Sequence, residues 1–220
     1  MGKRKLKNFA ELLTFPNVVQ KTYTTDNEDH ALKGKWNKDF FDKEQPIVLE
    51  LGCGKGEYTI GMARLNPEKN YLGIDLKGSR VWRGAKSAID ENLKQVGFLR
   101  TQIDRLPHFF DANEVSEIWI TFPDPQPQQG RERKRLTSPE FITRYETFCK
   151  PNALIHFKTD NRFLFDYTIE VLRTLGKKIV RKEFHVHRDF PNHDLFNILT
   201  HYEDIYMKAG KPIHYLCFEI

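Results

Sequence analysis

The spacing of apolar positions changes along the chain. Up to about residue 30, charged residues, Asn and Thr surround isolated apolar ones and no period is sustained. This predicts a flexible basic arm over 1–30, with at most a short helix at Phe9 to Leu13. From Pro46 onward, short apolar runs alternate with helical spacing, the pattern of strands separated by helices. Ile47 to Leu51 reads as a strand running into Gly52-Cys53-Gly54-Lys55-Gly56, and Tyr58 to Leu65 as a helix stopped by Asn66-Pro67. Tyr71 to Asp75 is a second strand, Gly78 to Asn92 a basic helix, and Val96 to Leu99 and Glu117 to Phe122 the next two strands. The segment Pro123 to Arg135 contains three prolines and a glycine and is a loop. Ser138-Pro139-Glu140 opens the following helix, with a Ser cap, Pro at the first position and acid in the first turn. Ala153 to Lys158, Lys178 to Phe184 and Ile213 to Ile220 give the fifth to seventh strands, and Arg162 to Leu175 a helix closed by Gly176. The expectation is one α/β domain over 31–220 with a seven-stranded sheet.

Composition narrows the class. Hydrophobic residues make up 39% and aromatics 13% of the 220 residues, enough for a core and against a wholly disordered chain. No run approaches the roughly 20 apolar residues of a membrane span, and the basic N-terminus has no apolar stretch behind it. Cys53, Cys149 and Cys217 are far apart and in no C-x-x-C pattern, which argues against a disulfide framework or zinc site and for the cytoplasm. The formal charge is +5, but its clustering says more: Lys3 to Lys7, then Arg131, Arg133, Lys134 and Arg135. Such clusters are footprints for a polyanion, although a basic run can equally be solvated surface.

The glycine turn carries the first chemistry. Glycines between a strand and a helix let backbone approach a ligand where a Cβ would block it. The dinucleotide spacing G-x-G-x-x-G is not met, because its third glycine position is Glu57. Gly52, Gly54 and Gly56 give G-x-G-x-G with Glu50 two residues ahead, similar to the E-x-G-x-G-x-G of S-adenosylmethionine methyltransferases. That cofactor carries an ammonium and no pyrophosphate, so a carboxylate near the turn is useful. Asp75, at the next strand end, is placed to accept ribose hydroxyls. A tight turn with no ligand is the plainer alternative, and Cys53 and Lys55 read as spacers.

The fourth strand ends in Phe122-Pro123-Asp124-Pro125-Gln126-Pro127, which places a Pro-braced acid beyond the carboxyl end of a strand. An Asp before Pro is often only a turn former. Phe122 to Leu136 (FPDPQPQQGRERKRL), however, resembles the hallmark loop of the tRNA guanine-N7 methyltransferases. Lys158-Thr159-Asp160, Thr200-His201-Tyr202-Glu203 and Gly210-Lys211-Pro212-Ile213 resemble further motifs of that family, and the likeness covers about residues 45 to 220.

The resemblance implies a Rossmann-like class I methyltransferase fold, with a parallel sheet, an antiparallel C-terminal strand and helices on both faces. It implies S-adenosylmethionine bound by Glu50, Gly52, Gly54, Asp75 and Gln102, with Asp124 between cofactor and guanine. Gln128, Asp160, Thr200 and Glu203 would contact the base, and Arg131, Arg133, Lys134 and Arg135 the tRNA phosphates. Four positions depart from the pattern: Gln126 stands for a Trp, Gln128 for a Lys, Gln102 for an acid and Asp75 for a more usual Glu. No metal and no obligatory protein partner are expected. Other readings are a methyltransferase of a different substrate, a nicotinamide dehydrogenase and a non-catalytic RNA-binding protein. His185 and His187 are read as surface or packing residues on one strand edge, with a metal pair as the alternative, and Trp36, Trp82 and Trp119 as core or rim.

Overall fold

The computed structural model describes residues 3–21 and 28–220, with backbone alone for residues 3–5. The side chains of the basic run at Lys3, Arg4 and Lys5, and residues 22–27 of the expected arm, lie outside the described residues. The chain divides into two compact units, Met1–Asp111 and Ala112–Ile220.

The first unit holds helix α1 (Lys3–Leu12), strands β1 (Val18–Gln20) and β2 (Ile47–Leu51), helix α2 (Glu57–Leu65), strand β3 (Asn70–Ile74), helix α3 (Gly78–Asp90) and strand β4 (Val96–Arg100). Its strands are parallel in the order β1-β4-β3-β2. All residues of β2 and β3 are buried, as parallel strands covered on both faces require. Two elements fall inside the segment read as an arm. Phe9 of α1 lies under the Arg100 guanidinium, 5.2 Å from its ring centre, and Glu11 accepts from the Trp82 indole at 3.0 Å. Strand β1 pairs Val18, Val19 and Gln20 with Phe98, Leu99 and Arg100. A wide helical turn at Trp36–Phe41 buries Trp36 completely, its indole N–H donating to the Phe109 carbonyl at 2.7 Å. Trp82 is only half-buried.

The second unit holds strand β5 (Val115–Thr121), helix α4 (Pro139–Glu146), strand β6 (Cys149–Thr159), helix α5 (Arg162–Thr174), strand β7 (Ile179–Glu183), helices α6 (Val186–Asp189) and α7 (His201–Lys208), and strand β8 (His214–Glu219). Its strands run in the order β5-β6-β8-β7. Strand β8 lies antiparallel to both β6 and β7. Eight strands are therefore described rather than the expected seven, the extra one being β1. The expected Ser138 cap is present: its hydroxyl accepts from the Phe141 N–H at 3.4 Å, behind Pro139. Asn161 and Thr200 cap α5 and α7 in the same way. Trp119 is buried and stacks on His156 with centroids 4.1 Å apart.

All three cysteines are free and buried. Burial pushes the Cys149 thiol up to about 12 and the Cys53 thiol well above its usual range, with Glu50 and Asp75 adding to the latter. Thiolate is the reactive form, so alkylation of Cys149 at pH 8 should be on the order of 10³-fold slower in native than in unfolded protein, and that of Cys53 slowed in the same direction. Peptide mass mapping after timed iodoacetamide treatment checks this. Equal native and unfolded rates at Cys149 would contradict its enclosure.

Candidate functional site

In the first unit, Gly52 and Gly54 take left-handed backbone, with φ of 73° and 58°, and nothing lies within 4 Å of where their Cβ atoms would sit. A left-handed turn beside open space is what a ligand-facing cradle needs, and a side chain there would fill the space the ligand takes. Asp75 fixes the cradle: its Oδ2 accepts the Gly54 N–H at 3.0 Å and its Oδ1 the Lys77 N–H at 2.7 Å. Each oxygen keeps a second lone pair, so the carboxylate can still accept from a bound hydroxyl. Glu50 is buried, and its Oε2 accepts from the Thr59 N–H at 2.8 Å and from the Thr59 hydroxyl. It thereby satisfies an early amide of α2 and anchors the helix that follows the turn. Gln102, two residues beyond β4, is half-buried and takes the cap position at the start of the helical turn Ile103–His108. Asp75 thus lies directly against the open glycine turn, while Glu50 is turned inward onto Thr59. A carboxylate acceptor at the open turn fits S-adenosylmethionine, whose ammonium and ribose hydroxyls donate.

In the second unit, the loop after β5 holds Asp124 in a stiff frame. Phe122 and Gln126, two residues to either side, both have positive φ, 49° and 43°. Pro123 and Pro125 fix the backbone between them. Left-handed conformations cost non-glycine residues about 1–3 kcal/mol each and persist where the surroundings enforce them. The enforcing contacts are visible: the Phe122 N–H donates to the Lys158 carbonyl at 2.9 Å, and the Gln126 N–H to Asp124 Oδ1 at 3.1 Å. Asp124 itself is exposed.

The basic tail divides into two roles. Arg131, Arg133 and Lys134 are exposed along the helical turn Gln129–Lys134, as groups that meet phosphates would have to be, and Gln128 is exposed just before them. Arg135 departs from the expectation. It is buried, donates to the Gln126 carbonyl at 3.2 Å, and lies over the rings of Tyr167 and Phe163 at 4.3 and 4.9 Å. Its guanidinium is committed to holding the loop, because stacking and a carbonyl bond outcompete solvent for it.

Asp160 and Thr200 sit at the same unit's strand and helix ends. Asp160 pairs with Lys211 at 3.0 Å, which holds the ammonium charged above its usual range. The Thr200 hydroxyl accepts the Glu203 N–H at 3.2 Å. Glu203 differs from its expected place on a base. It is fully buried, and its Oε1 lies 2.7 Å from Lys158 Nζ, also fully buried, and 2.8 Å from His187 Nε2. His187 is on the short helix α6 rather than a strand edge, because the chain leaves β7 at Glu183, and its ring is committed to Glu203. Lys158 has a role that its motif alone did not reveal. A lysine ending the run Ala153 to Phe157, apolar but for His156, was the available signal, since a buried ammonium demands a buried acid.

Glycine cradle, strand-end acid and α/β sheet together define a class I, S-adenosylmethionine-dependent methyltransferase. A family model described as "Putative methyltransferase" matches residues 44–216. A tRNA (guanine-N(7)-)-methyltransferase of Christiangramia forsetii is 47% identical, covering all of this chain and 99% of the relative. One of Bacillus subtilis is 35% identical over 87% of this chain and 91% of its own length. The chain belongs to the tRNA (guanine-N(7)-)-methyltransferase family. The fold is shared more widely: a structure of an antibiotic-related methyltransferase has a TM-score of 0.64 at 15% identity, over 90% of this chain and 98% of the other, and the 16S rRNA methyltransferase KamB one of 0.62 at 17%, over 81% and 89%. Among the described residues, no helix is long and apolar enough to cross a membrane.

Proposed function

We propose that this chain transfers the methyl group of S-adenosylmethionine to N7 of a guanosine in the variable loop of tRNA, with Asp124 as the group that stabilises the developing charge. Class, cofactor and guanine-N7 activity follow from family membership. The loop position and the residue roles are our reading. The observation that carries it is the exposed carboxylate of Asp124 in a frame of two prolines and two left-handed residues.

N7 of guanine has a free lone pair, so no base is needed to remove a proton, and catalysis reduces to alignment and charge stabilisation. When bound, S-adenosylmethionine supplies an electrophilic methyl on a sulfonium. Glu50, Gly52, Gly54, Asp75 and Gln102 hold and orient it, and Asp124 meets the positive charge that passes to the purine. Asp160 and Thr200 present acceptors to the base's donor edge, which carries N1–H and an amino group, while Gln128 offers an amide. Glu203 positions the surrounding segments. The protein acts in the cytoplasm without an obligatory protein partner.

The test is incubation with labelled S-adenosylmethionine and unmodified bulk tRNA, followed by borohydride–aniline cleavage. Cleavage at a variable-loop guanosine is the expected result, and cleavage elsewhere would move the target. The basic turn carries its own prediction. Replacing Arg131, Arg133 and Lys134 together by Ala should flatten the slope of log affinity against log salt by about 2–3, close to one for each phosphate that is no longer neutralised. Filter binding at several salt concentrations reads this, and an unchanged slope would remove the three from the interface.

A further inference from the structure

Helix α7 inverts the usual amphipathic arrangement. Its buried side is a glutamate, while Tyr202 and Ile205 are 47% and 45% exposed on the opposite stripe. Tyr202 and Tyr206, one turn apart, stack with centroids 6.5 Å apart, and Phe122 of the Asp124 loop lies 5.8 Å from the Tyr206 ring. Lys211 sits over the same Tyr206 ring at 4.6 Å. The result is a row of three aromatic rings that starts at the proposed catalytic loop, runs outward into solvent and carries a cation on its flank. Burying Tyr202 and Ile205 would be the ordinary way to stabilise a short helix, so their exposure requires a different explanation.

We propose that Tyr202 and Tyr206 form a stacking platform for an unpaired nucleotide of the RNA next to the guanosine being methylated. The inference rests on the reading that the base enters beside Asp124. In an A-form helix N7 faces a deep, narrow major groove that side chains do not enter, so a guanosine brought against Asp124 is splayed from its neighbours, and each neighbour then has an uncovered face. Aromatic rings cover such faces without selecting a base, and the half-exposed Lys211 ammonium, which gives one N–H to Asp160, has further N–H groups to offer the phosphate between the two nucleotides. A protein partner would match the apolar side chains but not the Lys211 charge over the ring, nor the continuity of the row with Phe122. A second copy of the chain is kept as an outcome of the test.

The experiment compares Tyr202→Ala, Tyr206→Ala and Tyr202→Phe in steady-state methylation of tRNA. A stacked base is worth about 1–3 kcal/mol, so each Ala variant should raise the KM for tRNA by roughly 5- to 150-fold while the KM for S-adenosylmethionine is unchanged. Tyr202→Phe keeps the ring and should restore the parent KM. Photocrosslinking of tRNA carrying 5-bromouridine in the variable loop should place adducts on Tyr202 or Tyr206. Unchanged KM values with adducts elsewhere would overturn the platform. So would a dimer by light scattering that Tyr202→Ala converts to monomer, because the stripe would then be a self-association surface. The two readings fail separately. If Asp124→Ala abolishes methylation and the tyrosine variants behave as parent, the platform alone falls. If Asp124→Ala is fully active, the base site itself is misplaced.

Discussion

Asp124→Ala is expected to lower kcat for tRNA methylation by roughly 10²–10³-fold, the usual effect of removing one preorganised charge from a transition state. Circular dichroism should be unchanged, because the side chain is exposed and its one described bond is to the Gln126 N–H. Asp124→Asn separates charge from geometry. Its Oδ1 can still accept the Gln126 N–H, so the loop keeps its shape, but the negative charge is gone. Single-turnover rates at saturating cofactor should therefore be low for both variants. A parent-like rate for Asp124→Asn would mean that the carboxylate acts only as a turn former, with no part in stabilising charge.

The second large effect concerns stability. Lys158 and Glu203 are both enclosed, and removing the lysine leaves a buried carboxylate that has lost its full counter-charge and keeps the His187 ring as a partner. Such single removals cost about 3–5 kcal/mol. At roughly 2–4 °C per kcal/mol for a chain of this size, Lys158→Ala should melt about 10 °C lower. The double variant Lys158→Met with Glu203→Gln should recover most of that loss. Met fills the space of the lysine stem, and Gln still offers an oxygen to His187. Thermal unfolding followed by circular dichroism reads both. A Lys158→Ala variant melting within about 2 °C of the parent would show that water reaches the pair and that the enclosure is not maintained.

How far the sequence could be read follows from how local each signal is. The apolar run Ile47 to Leu51 and its glycines announce a strand and a ligand turn because both depend on adjacent residues. The Ser138-Pro139 helix start is legible for the same reason. Strand β1 is not, since three half-buried residues have no periodicity of their own and become a strand only by pairing with Phe98 to Arg100, some 80 positions away. The wide turn at Trp36–Phe41 likewise exists because Trp36 finds the Phe109 carbonyl. At the site, the motifs located Asp124, but not what each charged neighbour does. Arg135 sits in a run of cations and differs from Arg131 only through Tyr167 and Phe163, which lie far along the chain. Glu203 reads as an acid on a helix until Lys158 and His187 are seen to converge on it.

Strand β1 also has a bearing on how the molecule behaves in company. Strand β4 carries Phe98 and Leu99 in a parallel sheet, and its outer row of amides and carbonyls would be a template for another chain if left bare. Three residues from the N-terminal segment occupy that row, and the Asn17 carbonyl receives the Phe98 N–H just before it at 2.8 Å. The segment before residue 21 therefore acts as a built-in stopper against edge-to-edge aggregation, and solubility as well as chemistry depends on it remaining in place.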